Sequence, residues 1–488
     1  MSAFNNEKYV ELQAEKILKR IEQFNNKLYL EFGGKIFDDY HASRVLPGFE
    51  IDSKVKMLLE LREKVEIIIS ISATDIEASK MRADSGISYE DEVFRMIEAF
   101  NKLDLYVGSV VVTRYNKEPA IKAFERKLKV RGIPLFFHYP IAGYPVDTNK
   151  IVSDEGFGKN DYIKTSRSLV VLTAPGPGSG KMATCLSQLY HENKNGICAG
   201  YAKYETFPIW NLPLKHPVNL AYEAATADLN DVNMIDPFHL NAYNTLAVNY
   251  NRDVEVYPIL EALFKKIYGE CPYKSPTDMG VNMVGFCIED EEEVKKACAQ
   301  EIIRRYFEAK NNMVKGKGTE VEVDKIKLIM GQIGANVHDR VIVDIAMEKT
   351  QKEKVPVVAI EMEDGTVITG KQSNLLTATS AALLNSIKYL AGIKDKLKLI
   401  SPKVFEPLQK LKCGVLHHEN ARLNAQDLLT ALSISASTNP ILEDAIEMLS
   451  LLKGREAHST VMLGYEDAKI LKNLRVNVTQ EAILKNEL

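Results

Sequence analysis

SLVVLTAPGPGSGKMATCLSQLYHE, residues 168–192, is the most informative stretch of this chain. Ser168–Thr173 is a short, nearly unbroken apolar run, the composition of a strand buried on both faces. MATCLSQLYHE, from Met182, has the residues of a helix. Between them PGPGSGKM (Pro175–Met182) carries three glycines and a lysine. A glycine-rich turn between a strand and a helix is the setting a phosphate-binding loop requires. Glycines let successive backbone N–H groups converge on one point, and the helix adds the positive end of its dipole. Lys181 adds a full charge. Gly176, Gly178, Ser179, Gly180 and Lys181 are therefore the expected phosphate-binding residues. The match to the Walker A pattern breaks twice. Pro175 stands where the first glycine belongs, and Met182 stands where a magnesium-holding Ser or Thr belongs. Thr184, two positions on, is expected to face elsewhere on its helix.

Working outward, helix-like and strand-like segments alternate. Val10, Ala14, Ile17, Ile21 and Phe24 mark one face of an amphipathic first helix. Helical stretches around 55–64, 92–101 and 120–130 lead into VEIIISIS (65–72), LYVGSVVV (105–112) and IPLFFHY (133–139). The expectation is an α/β fold with an N-terminal doubly wound, mostly parallel sheet of P-loop or Rossmann-like type. Such sheets bind ligands beyond the carboxyl ends of their strands, which here carry Asp75, Arg114, Tyr115, His138 and the glycine loop. The long polar segment 142–167 reads as a functional loop over that edge. From 236 to 350 the periodicity is mostly helical. From Val355 strands return, in VPVVAIEM, in DGTVITG with its Asp-Gly turn, and later in HSTVML. The expected domains are 1–235, with the phosphate loop; 236–350, mostly helical; and 351–488, a smaller C-terminal α/β domain.

Composition bounds the functions. The 488 residues exceed one hydrophobic core, and 45% apolar with 26% charged residues is an ordinary globular balance. A net charge of −4 with interspersed signs shows no footprint for nucleic acid. Six cysteines without CxxC spacing argue against a disulfide framework or a thiolate zinc site. The opening NNEKYVELQAEKILKRIEQF has no signal region, and no apolar run reaches membrane-spanning length, so the expected compartment is the cytoplasm with no membrane partner. A homo-oligomer is expected.

Other polar clusters are candidates. Asp75 and Glu205 each follow an apolar run, where an acid orienting metal or water belongs; Asp75 would equally suit a helix start. With Lys181 they are the expected catalytic residues. The span 205–239 is crowded with polar groups around the single Trp210. There Lys215, Asn219, Glu223 and Asp228, together with His138, are the expected substrate contacts, although a solvated face is the plainer alternative. DDYHASR (38–44) offers Asp38, Asp39, His41 and Arg44, with a structural histidine the plainer reading. Glu456, His458 and Thr460 alternate along a strand, as a metal or proton-transfer site would. His417 and His418 before Glu419 lack ligand spacing. Ser373 or Asn374 would cap a small-residue helix and, with Lys371, make an anion site.

The strings DDYHASRVLPGFE, SDEGFGKNDYI, APGPGSGKMATCLSQLYHE, ETFPIWNLPLKHPVNLAYEAATADLND and EAHSTVML resemble a bacterial family catalogued as domain of unknown function 1846. The resemblance spans nearly the whole chain and implies a soluble protein with an N-terminal α/β domain, a helical part and a C-terminal α/β subdomain. It implies no activity. Three functions compete. The first is an enzyme binding a nucleotide or phosphometabolite, with a small phosphorylated ligand as partner and ATP or another nucleotide with magnesium as cofactor. The second is a non-catalytic phospholigand sensor or assembly protein. The third is a metal-dependent hydrolase using Glu456 and His458, or His41.

Overall fold

The structure, a computed structural model, describes residues 3–37, 39–82, 86–418, 420–437 and 439–483. Asp38 and Glu419 lie outside these residues. The chain divides into two compact units, Met1–Cys298 and Ala299–Leu488. The helical run 236–350 is thus shared between them.

The first unit is built on six strands: β1 (Leu28–Phe32), β2 (Val65–Ser72), β3 (Tyr106–Thr113), β4 (Leu135–Phe137), β5 (Leu169–Thr173) and β6 (Gly200–Tyr204). They lie in the order β4-β3-β2-β5-β1-β6, and every pair is parallel. Both faces are covered, which is why β2 and β5 are apolar almost throughout. One face packs Ile17 and Ile21 of the helix Asn6–Gln23, Met57 and Leu58 of Ser53–Glu60, Val93 and Ile97 of Tyr89–Lys102, and Phe124 of Ile121–Val130. The other packs Cys185, Leu186 and Leu189 of the helix Lys181–Lys194 and Leu260, Leu263 and Phe264 of Asn251–Tyr268. A short antiparallel pair, β7 (Asn233–Ile235) with β8 (Val248–Tyr250), completes the strands among the described residues of this unit.

The chain leaves β1 and β2 towards the first face and leaves β5, which lies between them, towards the second. Connections that part in this way open a crevice at the carboxyl edge of the sheet. The glycine loop sits there.

The long loop before β5 is anchored to its surroundings. At its end, the buried Glu66 on β2 accepts hydrogen bonds through Oε2 from Ser166 N (2.6 Å), Ser166 Oγ (2.9 Å) and Arg167 N (3.2 Å). Further back, the loop is stapled to the helix Lys181–Lys194. Asn160 Nδ2 donates to Ser187 Oγ (3.0 Å), and Gln188 receives from Ile163 N (3.2 Å) and donates to Ile163 O (2.8 Å). Tyr162 Oη donates to Glu192 (3.2 Å).

The second unit has a four-stranded sheet in the order β10-β9-β11-β12, from β9 (Val357–Glu361), β10 (Val367–Lys371), β11 (Glu456–Ser459) and β12 (Asn477–Gln480). The pair β9–β10 is a hairpin across Asp364-Gly365, and β11–β12 is parallel. The small-residue helix begins at Ala378. Its cap is Thr377, which accepts from Ser380 N at 3.2 Å; Ser373 and Asn374 do not cap it. Lys371 is paired with Glu353 at 2.7 Å.

Glu66→Ala would remove the buried carboxylate that holds the backbone of Ser166 and Arg167 and the Ser166 hydroxyl. Hydrogen bonds to a charged group contribute about 1.5–3 kcal/mol. Urea unfolding is expected to show a loss of at least about 2 kcal/mol, and an unchanged midpoint would show that this anchor carries no stability.

Candidate functional site

The turn after β5 needs its glycines for two different reasons. Gly178 (φ +75°) and Gly180 (φ +81°) hold left-handed backbone, which glycine adopts without penalty. Gly176 is required by space: a Cβ there would lie 2.3 Å from Tyr89 Oη. Ser179 Oγ donates to Gly176 O (2.7 Å) and Thr113 Oγ1, at the end of β3, donates to Ser179 O (2.9 Å). These bonds tie the turn to itself and to the neighbouring strand. Gly180 is the N-cap of the helix and supplies no side-chain cap, and Thr184 N, donating to Gly180 O, is the first amide bonded back into the helix. The amides ahead of it are left for an outside acceptor.

These groups border a cavity of about 450 Å³. Its walls are Gly178–Thr184 on one side, Thr113, Arg114 and His138 from the ends of β3 and β4, Glu31 from β1, and Tyr144, Phe157 and Asn160 from the long loop. Among the described residues no carboxylate pairs with Lys181 or Arg114. Arg114 is held in left-handed backbone (φ +56°), a strained state for a non-glycine residue that fixes its direction off β3. Thr184 lines the cavity as well. It is fully buried, and its Oγ1 has no hydrogen-bond partner. The expectation that it faces elsewhere is therefore wrong: the helix starts at Lys181, and residues three apart share a face.

His138 is buried, with Nε2 3.3 Å from Asp161 O. Burial pushes its pKa down to about 4, so the ring is neutral near pH 7. A carbonyl accepts, so Nε2 carries the proton and Nδ1 keeps its lone pair. Glu31, 8% exposed, accepts from Tyr201 Oη at 2.7 Å. Burial, followed by the charge of Glu31, raises the Tyr144 phenol.

The other expected residues lie outside this lining. Asp75 sits in the helix Ala73–Glu77 and pairs with Lys80 at 3.2 Å. Glu205 packs against Gly33 and pairs with Lys203 at 3.1 Å, while Lys203 also holds Asp253. Burial, only partly offset by Lys203, pushes the Glu205 carboxyl up to about 7. In the span 205–239 the polar groups bond one another. Asn219 Oδ1 accepts from Ile209 N (2.7 Å), Glu223 accepts from Asn233 N (3.2 Å), and Lys215 and Asp228 are exposed. His41 packs edge-on against Phe207 and Tyr222, and Asp39 holds Lys54 at 2.9 Å. In the second unit Glu456 is held by Arg304 (3.0 Å) and Arg340 (2.5 Å). Among the described residues no group of three His, Cys, Asp or Glu is placed to hold a metal, and no helix is long and apolar enough to cross a membrane.

Glu31 is the residue the sequence reading missed. Its strand, LYLEF, precedes the Gly33-Gly34 pair, and that short aromatic run ending at two glycines was the available signal.

Residues 2–334 match the family described as Domain of unknown function DUF1846, N-terminal, and residues 338–488 match Domain of unknown function DUF1846, C-terminal. A UPF0371 protein of Streptococcus thermophilus is 54% identical over 477 residues, covering 98% of this chain and 97% of its own. A UPF0371 protein of Streptococcus pyogenes serotype M5 is 54% identical over 484 residues, covering 99% and 98%. The chain belongs to the DUF1846 family.

The neutral state of His138 is open to test by pH. Its pKa in the folded chain lies below the unfolded value of 6.5, so the unfolded chain binds more protons between pH 6.5 and about 4. Stability tied to the neutral ring is whole above pH 6.5 and is lost as pH falls through that window, by on the order of 3 kcal/mol. His138→Gln is expected to flatten this part of the acid-unfolding curve. A curve unchanged by the substitution would show that the ring is not held neutral.

Proposed function

We propose that this member of the DUF1846 family is a cytoplasmic protein that binds a nucleotide or another small phosphorylated metabolite, with the phosphate on the glycine loop. The observation that carries the reading is the convergence of two unpaired cations, Lys181 and Arg114, and an uncapped helix start on one cavity. Each component alone is common; together they make a focus of positive potential at the carboxyl edge of a parallel sheet. The volume, about 450 Å³, is in the range of small-molecule sites. In this reading the turn works as a P-loop does. The backbone amides cradle oxygens, and Lys181 meets the charge that develops on a phosphoryl group during transfer or hydrolysis. Asp75 and Glu205, being outside the cavity, have no part in that step. Nucleic acid and membrane are not partners in this reading.

A second reading, a non-catalytic sensor of the same ligand, is favoured by one observation. Met182 occupies the place of the magnesium-holding hydroxyl, and it lines the cavity. Product formation separates the two. Incubation of the bound ligand with the protein and magnesium gives product if the site is catalytic, and unchanged ligand if it is a sensor.

For both, Lys181→Ala is the deciding variant. Wild-type protein is expected to gain thermal stability with ATP, GTP or a sugar phosphate, about 2.7 kcal/mol at a hundredfold excess over Kd. Lys181→Ala is expected to lose most of that gain while keeping the ligand-free Tm, since the side chain is unpaired. A wild type that shifts with none of these compounds, inorganic phosphate included, ends the proposal.

A further inference from the structure

The wall opposite the glycine loop has a different chemistry, and it narrows the ligand class; this step rests on the phosphate reading above. Glu31 is the only ionisable carboxylate in the strand LYLEF, and it stands in the interior of the sheet. Its Oε2 takes the Tyr201 hydroxyl at 2.7 Å. Its Oε1 has no partner among the described residues, and the side chain lines the cavity. A carboxylate with one oxygen satisfied by the protein and the other open to a cavity is an acceptor awaiting a donor, because leaving it unmet in a buried site is costly.

His138 adds a second acceptor. With Nε2 donating to the Asp161 carbonyl at 3.3 Å, Nδ1 has a lone pair and no proton. Asn160, from the long loop on that side, is already spent. Its Oδ1 accepts from Tyr139 N (2.8 Å) and its Nδ2 donates to Ser187 Oγ (3.0 Å). The oxygens of a fully ionised phosphate ester carry no hydrogens and would be repelled by Glu31. The cavity is thus bipolar, cationic and rich in N–H donors at the loop, acceptor-lined at β1 and β4. Tyr144 and Phe157 supply apolar surface on the loop side.

We propose that the ligand is a phosphate ester of a hydroxyl-bearing sugar, with Glu31 and His138 accepting hydrogen bonds from its free hydroxyls while the glycine loop holds the phosphate. A free sugar phosphate and the ribose of a nucleotide share this chemistry. The carboxylate is the stronger reader, since a hydrogen bond to a charged acceptor is worth more than one to a neutral ring.

The test uses the full chain and calorimetric titration with matched pairs: ribose 5-phosphate against 2-deoxyribose 5-phosphate, glucose 6-phosphate against 2-deoxyglucose 6-phosphate, and AMP against its 2′-deoxy form, with inorganic phosphate as reference. In wild type at least one hydroxylated member is expected to bind about tenfold or more tighter than its deoxy partner, the loss of one hydrogen bond to a charged group. Preference within the AMP pair alone assigns the hydroxyls to a nucleotide; preference within a free-sugar pair assigns them to a sugar phosphate. In Glu31→Gln, whose amide oxygen still serves Tyr201, the ratio is expected to fall towards one while inorganic phosphate binds no more weakly than to wild type. Equal binding of all pairs in wild type overturns the inference and leaves the phosphate site standing. A ratio that survives in Glu31→Gln also overturns it. No binding by any probe, inorganic phosphate included, strikes the phosphate site itself, and the inference with it. The wild-type pairs need no variant, so a poorly folded Glu31→Gln does not blunt the test.

Discussion

β5 lies between β2 and β1, and the three strands end at one edge of the sheet, yet the chain departs from β5 to the face opposite that used by its neighbours. A helix on the second face begins near the end of β5 where the neighbouring connections have left for the other face, so its N-terminus opens onto a crevice. Everything that defines the site follows from this parting of connections. The turn has to climb from the short β5 over the longer β2, which in register runs on from Ile69, opposite Thr173, to Ser72. It reaches β3 at Thr113, and the left-handed backbone at Gly178 and Gly180 is what bends it there. The amides at the start of the helix point outward because no side chain caps them.

A crevice of this kind is polar, and its surroundings show how the fold bears the charge. The face behind it buries Glu31, Lys203, Glu205 and Asp253 close together; Glu31 and Lys203 are opposite each other in the β1–β6 register. Three carboxylates around one ammonium leave an excess of negative charge. Burial first, then the charges of Asp253 and Glu31, raise the Glu205 carboxyl against the pull of Lys203, and at the Lys203 ammonium burial is overcome by Asp253 and Glu205 so that its pKa rises. Lys181 and Arg114 are left out of that network. The fold therefore spends Lys203 on neutralising buried acids and keeps two cations unspent at the cavity, a division that favours an anion arriving from outside.

How much of this could be read from residues alone depended on whether function and structure asked for the same residue types. β2 and β5 were legible to within one residue because strands buried on both faces are written in Val, Ile and Leu. The glycine loop was legible because its conformation excludes other residues. β1 was not, since Tyr29 and Glu31 interrupt its apolar pattern, and the polar position that hid the strand is the one that faces the cavity. The opposite error arose over 205–239. Asn219 and Glu223 read as substrate contacts or as a polar face, but they hold the backbone of an irregular segment, as Asp236 does: Asp236 Oδ1 accepts from Phe238 N and His239 N, both at 3.0 Å. Composition does not distinguish a side chain that ties a loop together from one that meets a ligand; hydrogen-bond partners do.

The same criterion separates the two polar clusters that looked alike in sequence. Glu456 in the second unit is a carboxylate with every oxygen engaged, Oε1 by Arg304 and Asn477, each at 3.0 Å, and Oε2 by Arg340. His458 beside it gives Nδ1 to Thr479 at 2.9 Å, and burial followed by the Arg340 charge pulls its pKa down to about 3. An acid whose oxygens all accept from guanidinium and amide groups has no lone pair to spare for a metal or a proton, so this cluster is a fastening across β11, β12 and the segment carrying Arg340. Glu31, Thr184, Lys181 and Arg114 differ from Glu456 in that each keeps an unmet donor or acceptor and all four line one cavity. Burying polar groups half satisfied costs stability, and a fold bears that cost where something else completes the bonds. The unfinished hydrogen bonds at the end of β5 mark that place, and their signs, cationic at the loop and anionic at β1, give the polarity of what completes them.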